Sequence, residues 1–329
     1  MGGRSSEHEI SLASARSVVE GLDPERYEVR QVEIGRDGRW ELPSGQQELG
    51  PAPESLLPVP VSGSVEPLRG IDVVFPVLHG PFGEDGTVQG FLELAGVAYV
   101  GSGVTASALC MDKDLFKSVM RDKGISVARS LTARRWDRGR VESPFGFPVV
   151  VKPARLGSSV GISVVRAAED LADAVDLAFD HDEKILVEEF VEGVEVECSV
   201  LGNEEPIASL PGEIVPLASD WYDYEAKYAE GGMDLVIPAR LAPEAVSRVQ
   251  ELAVAAFVAA DCEGMARVDF FVRPDGEVVV NELNTIPGFT ATSVYAKLFE
   301  ASGIPYGELL DRLVELALER RDRRASLRF

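Results

Sequence analysis

With 329 residues, 45% of them apolar and 26% charged, the chain is long enough for two or three domains with cores of their own and shows no sign of wholesale disorder. Lys plus Arg number 32 against 55 Asp plus Glu, a net charge of −23, which disfavours nucleic acid and anionic membrane as partners and obliges any anionic ligand to meet a local cluster of cations. The longest apolar run, Leu252 to Ala260, is too short for a bilayer, no signal peptide precedes the first motif, and Cys110, Cys198 and Cys262 lack metal-type spacing, so a cytoplasmic protein with buried reduced thiols is expected.

Along the chain, Gly2-Gly3-Arg4-Ser5-Ser6 reads as a loop of the kind that follows a strand, although only Met1 precedes it. A helix is predicted over 11–21, a strand over 27–34, a turn at Arg36-Asp37-Gly38 and a short strand around Trp40. The Pro-, Gly-, Ser- and Glu-rich stretch 43–69 is read as a variable loop. Ile71 to Leu78 is nearly continuous in apolar residues, as expected of a buried parallel strand. A helix over 87–94 and a strand over 97–100 complete an open α/β pattern. A second, α+β unit follows: a helix over 112–122, strands over 149–153 and 160–165, an amphipathic helix over 168–179 and a strand over 184–190. The last part holds strands over 194–201 and 207–215, a tyrosine-rich segment, a helix over 243–260, a hairpin and a helix over 306–321. No internal repeat or low-complexity tract is present.

Several segments carry chemistry. Lys152 ends a strand just before Gly157-Ser158-Ser159-Val160-Gly161, whose glycines and serines let backbone N–H groups and hydroxyls approach a phosphate. This is not a P-loop, because no Gly-Lys-Ser/Thr opens a helix after it; a plain hairpin turn is the alternative. Lys113 is a second candidate phosphate cation or a solvated surface lysine. Ile185 to Gly193 runs from a buried strand into a polar connection; its carboxylates and backbone could pair with adenine and Glu195 with ribose hydroxyls, or the acidic residues are simply exposed. Met265 to Val272 and Glu277 to Leu283 alternate as two strands around Asp275-Gly276. A two-residue turn there places Asp269 opposite Glu282 and Arg267 opposite Asn284, all four on one face. Two carboxylates and an amide oxygen suit Mg²⁺, and the adjacent Arg suits an anion held by that metal, as in phosphoryl transfer. A surface hairpin with ordinary polar residues is the competing reading.

Lys113, Lys152, the 157–161 loop, Glu188-Glu189-Phe190-Val191, Arg267-x-Asp269 and Asn281-Glu282-x-Asn284 resemble, in order, the ATP-binding elements of the ATP-grasp superfamily. The blocks 2–11, Leu78-His79-Gly80-Pro81-Phe82-Gly83-Glu84-Asp85-Gly86, Tyr222 to Tyr228 and Asn284 to Thr290 are similar to the D-alanine–D-alanine ligase family within it, over nearly the whole chain. The resemblance implies an α/β and α+β ATP-grasp fold of three domains: an N-terminal open parallel sheet at 1–104, a central lid domain at 105–191 and a C-terminal catalytic domain at 192–329, with nucleotide between the last two. It implies ATP with two Mg²⁺ or Mn²⁺ ions on Asp269, Glu282 and Asn284. Phosphates would meet Lys113, Lys152, Lys227 and Ser159, and the nucleoside Glu188, Glu189, Val191 and Glu195. It further implies that ATP activates the carboxylate of one D-alanine as an acyl phosphate, which the amine of a second attacks. The oxyanion would be met by Arg267 and the Gly288 N–H, the first ammonium by Glu7, and the second carboxylate by Ser293 and Val294, with Glu7, Ser158 and Tyr228 hydrogen-bonded over the substrates. His79 borders them, as a contact or as a structural loop residue. Trp221 to Tyr228, otherwise a surface aromatic cluster, favours D-alanine over D-lactate as second substrate. A homodimer, taking small-molecule substrates and neither nucleic acid nor membrane, is implied. The family places a strand before Gly2-Gly3, so a truncated or misassigned start, with a loosened Glu7, is expected here.

Overall fold

A computed structural model describes residues 1–41, 68, 70–216 and 233–328. The tyrosine-rich segment with Lys227 and Tyr228, and almost all of the predicted variable loop, lie outside the described residues. The first part contains α1 (His8–Gly21), β1 (Glu33–Ile34), β2 (Trp40–Glu41), β3 (Val73–Val74), α2 (Thr87–Ala95), β4 (Ala98–Tyr99) and α3 (Val104–Met111). β3 and β4 pair in parallel, β1 and β2 antiparallel, and Gly2 bridges Ile34 in parallel. The predicted strands over 27–34 and 71–78 therefore contract to two residues each: among the described residues, ladder partners reach only Glu33–Ile34 and Val73–Val74. α1 begins three residues earlier than predicted, because the Ser5 hydroxyl accepts the Glu7 N–H and carries the chain into the first turn.

The second part is a four-stranded antiparallel sheet in the order β5 (Ser130–Arg134), β8 (Lys184–Glu189), β6 (Val149–Pro153), β7 (Ser163–Val165). It is preceded by α4 (Lys113–Asp122), whose cap Asp112 accepts the Leu115 N–H at 3.2 Å. The apolar stripe of α5 (Leu171–His181), with Ala174, Val175, Ala178 and Phe179, covers one face of this sheet against Val149, Val151, Ile185 and Val187.

The third part is a six-stranded sheet, β12 (Met233–Val236), β11 (Gly212–Pro216), β9 (Val194–Gly202), β13 (Gly264–Val272), β14 (Val278–Asn284), with β10 (Ile207–Ala208) also on β9. α6 (Pro243–Ala259) starts with Pro at its first position and lays Val249, Leu252, Ala253, Ala256 and Phe257 on this sheet. Each large side chain so buried contributes about 1.5–3 kcal/mol relative to exposure. Along β9 and β13, Val196, Cys198, Val200, Ala266, Val268 and Phe270 point to α6, which turns Glu195, Glu197, Ser199, Arg267 and Asp269 to the opposite face. α7 (Val294–Ala301) and α8 (Tyr306–Ala325) share a core with α1: Ala15 and Val18 meet Phe289, Leu309, Leu310 and Leu313 in one cluster. All three cysteines are buried free thiols, as expected.

Candidate active site

The predicted register of the β13–β14 hairpin is present, by a different route. Asp269 stands opposite Glu282 and Arg267 opposite Asn284, but the turn holds three residues between Arg273 and Glu277, and a bulge follows between Asp269 and Phe270. Asn281 is the extra residue. Val278 and Val280 face the core, so without the bulge Glu282 and Asn284 would face it as well. The added residue reverses the phase, sends Leu283 inward and brings Glu282 and Asn284 out beside Asp269.

On that face Arg267 is held bidentately by Asp269: Nε donates to Oδ1 and Nη2 to Oδ2, both at 2.7 Å. Asn284 Nδ2 donates to Asp269 Oδ2 at 3.0 Å. Glu282 faces Lys113, with Oε2 3.5 Å from Nζ, and Lys113 also donates to the Leu156 carbonyl at 2.7 Å. Lys152, from β6, lies 2.8 Å from Glu188 Oε2 and 3.5 Å from the Asn281 amide oxygen. Lys117, one turn beyond Lys113 on α4, is 3.2 Å from Glu188 Oε1 and fully buried. Burial alone would raise the Glu188 pKa, yet the two lysines hold it below the usual carboxylate range. Three lysines and an arginine thus gather where the strongly acidic protein needs them. Glu189 alternates to the other face of β8, where Arg129 donates to both its carboxylate oxygens, so its side chain leaves the lysine cluster. Val191 is buried against Val279 and Phe271. Glu195 lies on β9 on the same face as Glu197.

The oxygen-only set of Asp269, Glu282 and Asn284 fits a hard divalent cation. Among the described residues no group of three or more Asp, Glu, His or Cys side chains is placed to hold a metal ion by itself.

The opposite end of the site comes from distant segments. In the Gly-Ser loop, between antiparallel β6 and β7, Ser158 and Ser159 adopt φ of 53° and 57°, the left-handed region that non-glycine residues enter only when their surroundings hold them there. The Ser158 hydroxyl donates to Glu7 Oε1, and Glu7 is itself buried. A Cβ on Gly80 would stand 2.6 Å from Glu7 Oε2, so only glycine lets the 79–84 loop close on that carboxylate. His79 has both ring nitrogens engaged: Nδ1 donates to the Ile286 carbonyl at 3.0 Å, and Nε2 accepts from Ser14 Oγ at 3.2 Å. Burial lowers its pKa in spite of Glu7. Ser14 Oγ also accepts the Phe289 N–H at 3.3 Å.

Glu84 accepts the Gly80 N–H at 2.7 Å and the Ile286 N–H at 3.3 Å; burial, with Glu7 adding to it, pushes its carboxyl up to about 8. Gly288 packs beside Ser293, where a Cβ would lie 3.4 Å from Oγ, and Ser293 accepts the Thr290 N–H at 2.9 Å. Ser293 is the N-cap position of α7 and makes no side-chain cap bond there, so the Val294 N–H is a first-turn donor with no partner within the helix, suited to a carboxylate. Sequence reading did not single out Lys117, Glu197 or Ser14, and it took Asn281 and Glu84 only as members of recognised motifs, with no role of their own. Lys117 did carry a signal, its spacing of four from Lys113 on one helical face.

Two family models match the chain: D-ala D-ala ligase N-terminus over residues 1–102 and D-ala D-ala ligase C-terminus over residues 119–315. D-alanine–D-alanine ligase A of Escherichia coli K12 is 46% identical over 344 residues, covering 97% of this chain and 94% of its own. Among solved structures, VanG D-Ala:D-Ser ligase from Enterococcus faecalis superposes with a TM-score of 0.84 at 39% identity, over 96% of this chain and 97% of that one. The ATP complex of D-alanine–D-alanine ligase from Bacillus anthracis gives 0.79 at 29% identity, over 98% and 97%.

Proposed function

The chain belongs to the D-alanine–D-alanine ligase family, with its ATP-grasp fold, and from that premise we infer which residues perform the ligation. The enzyme joins two D-alanines to D-alanyl-D-alanine at the expense of ATP, a step of peptidoglycan synthesis. The observation that carries the residue assignment is the shared face of Arg267, Asp269, Glu282 and Asn284, set against Lys113 and Lys152.

In this reading ATP lies between the central and C-terminal domains, divided at 104 and 191. Glu188 and the backbone of Glu189 and Val191 accept adenine, Glu195 the ribose, and Lys113, Lys152, Ser159 and Lys227 the phosphates. Asp269, Glu282 and Asn284 would hold two Mg²⁺ or Mn²⁺ ions, whose chemistry would be to neutralise phosphate charge during transfer. Glu7 receives the ammonium of the first D-alanine, and Ser158 and Tyr228 fix Glu7 in place. The Ser293–Val294 helix start receives the carboxylate of the second D-alanine. The amine then attacks the activated carbonyl, and Arg267 with the Gly288 N–H meets the oxyanion, donors of a kind worth several kcal/mol each. His79 and Ser14 hold the 286–289 backbone that presents that N–H. No helix of the described residues is long and apolar enough to cross a membrane, and we place the enzyme in the cytoplasm as a homodimer.

Mass spectrometry of products from ATP, Mg²⁺ and D-alanine, with and without D-lactate or D-serine, tests the substrate assignment. D-alanyl-D-alanine is expected to dominate at neutral pH; a dominant mixed product would overturn it. Arg267→Ala is expected to abolish ligation while leaving ATP binding largely intact, and near-normal turnover would remove the oxyanion role.

A further inference from the structure

The row of carboxylates does not stop at the hairpin. β9 pairs with β13 on its other side, and its register sets Glu197 directly opposite Asp269, which faces Glu282 across the next ladder. Three acidic residues therefore lie in line across three adjacent strands, on the face turned away from α6. Glu197 is buried, and its Oε2 stands 3.0 Å from Arg267 Nε, the same nitrogen that donates to Asp269 Oδ1 at 2.7 Å. A buried carboxylate on β9 needs a reason, because removing its charge from water is costly unless a cation meets it.

Asp269 has two duties that conflict. It binds Arg267 through both oxygens and receives Asn284 as well, yet in the proposed mechanism it is also a ligand of a divalent cation. A cation drawing on those oxygens competes with the guanidinium for them and repels it. An arginine anchored by Asp269 alone would then be released at the stage when its position matters. We propose that Glu197 is the positioning residue for Arg267: it retains the guanidinium from the β9 side, so that Asp269 can turn to the metal without the oxyanion donor being lost. The role rests on the reading of Arg267 and Asp269 given above. It also accounts for a carboxylate at a place where a purely structural strand residue would be apolar or hydroxylic, as the neighbouring Ser199 opposite Arg267 is.

The test compares Glu197→Ala and Glu197→Gln in the full-length protein. Three quantities are measured: steady-state kinetics, Mn²⁺ binding by electron paramagnetic resonance with a non-hydrolysable ATP analogue, and urea denaturation. Glu197→Ala is expected to lose ~10–100-fold in kcat and a similar factor in Mn²⁺ affinity, as outer partners of a metal ligand commonly cost, while KM for ATP changes less. Glu197→Gln keeps the side chain's shape and an oxygen beside the guanidinium but loses the charge of the ion pair, and should recover part of both losses. In an Arg267→Ala background, Glu197→Ala should have little further effect on Mn²⁺ affinity.

Wild-type kcat and Mn²⁺ affinity in Glu197→Ala would overturn the proposal, as would equal losses in both variants that merely follow lost stability. An inactive Arg267→Ala beside a normal Glu197→Ala would overturn the Glu197 role alone, whereas an active Arg267→Ala would overturn the oxyanion reading and this one together.

Discussion

Lys117 brings a charge into the protein interior with Glu188 3.2 Å away, and burial lowers its pKa to about 8 although Glu188 opposes the shift. Replacing it with Met leaves a buried Glu188 that has lost one of its two lysines, a change of the class that costs ~3–5 kcal/mol. Lys117→Met is therefore expected to lower the urea midpoint with an unchanged slope and to weaken ATP binding; a midpoint within error of the parent would reject the pairing. Glu84 makes a prediction in pH. Its folded carboxyl titrates near 8 against an ordinary 4.5, through burial first and Glu7 second. Between those values the folded chain holds a proton that the unfolded chain has released, so this group makes stability fall as pH rises, by the order of 1 kcal/mol per pH unit. Glu84→Gln removes the titration, so its stability relative to the parent should improve between pH ~5.5 and ~8. Parallel denaturation curves at the two pH values check this, and a constant difference would reject it. In sequence, Glu84 is one member of a recognised block with no role of its own, and Lys117 is not singled out. Their burial depends on loops and helices far along the chain, which local pattern does not encode.

At the scale of elements, the hairpin shows how a register can be legible while its cause is not. Alternation in 265–272 and 277–283 identified two strands, and the facing pairs came out as predicted. The turn is one residue longer than Asp275-Gly276 suggested, however, and the Asn281 bulge restores the count. The short helices α3 and α7 and the strands β5 and β12 were not predicted. α3 and α7 are eight residues long, too short for a periodicity to stand out. β5 is an edge strand with mixed burial, held by its pairing with β8 rather than by its own pattern. The 78–86 loop was recognised from its residues, and besides Gly80 its geometry explains a second glycine: a Cβ at Gly83 would collide with the Leu78 carbonyl. Gly83→Ala must displace the turn that carries His79 and Glu84 to Ile286. The expected result is a KM for D-alanine raised several-fold, together with a fall in stability of ~1–3 kcal/mol as for strained backbone sites. Kinetics and denaturation matching the parent would show the turn to be more accommodating than its packing indicates.

Across the whole molecule, segments distant in sequence are tied together at the substrate end. Ser158 of the Gly-Ser loop reaches Glu7 at the start of α1; Gly80 closes on the same carboxylate; and His79, Glu84 and Ser14 fasten that neighbourhood to 286–289. α8 adds a second tie, since the buried Arg320 donates to the Tyr99 and Gly101 carbonyls and stacks on the Tyr99 ring. The Ser158–Glu7 bond is the member of this set whose loss should be felt in substrate binding more than in folding, because its hydroxyl sits on a loop with little core behind it. A hydrogen bond to a charged group is worth about 1.5–3 kcal/mol, which converts to ~10–100-fold in affinity at 1.4 kcal/mol per decade. Ser158→Ala is therefore expected to raise the KM for the first D-alanine by that range, with the KM for ATP within ~3-fold and the urea midpoint nearly unchanged. Varying D-alanine at saturating ATP, and then the reverse, gives the comparison. If both KM values rose together, Ser158 would be acting on the nucleotide through the loop. If neither moved, the ammonium of the first substrate would not depend on Glu7 being held from the central domain.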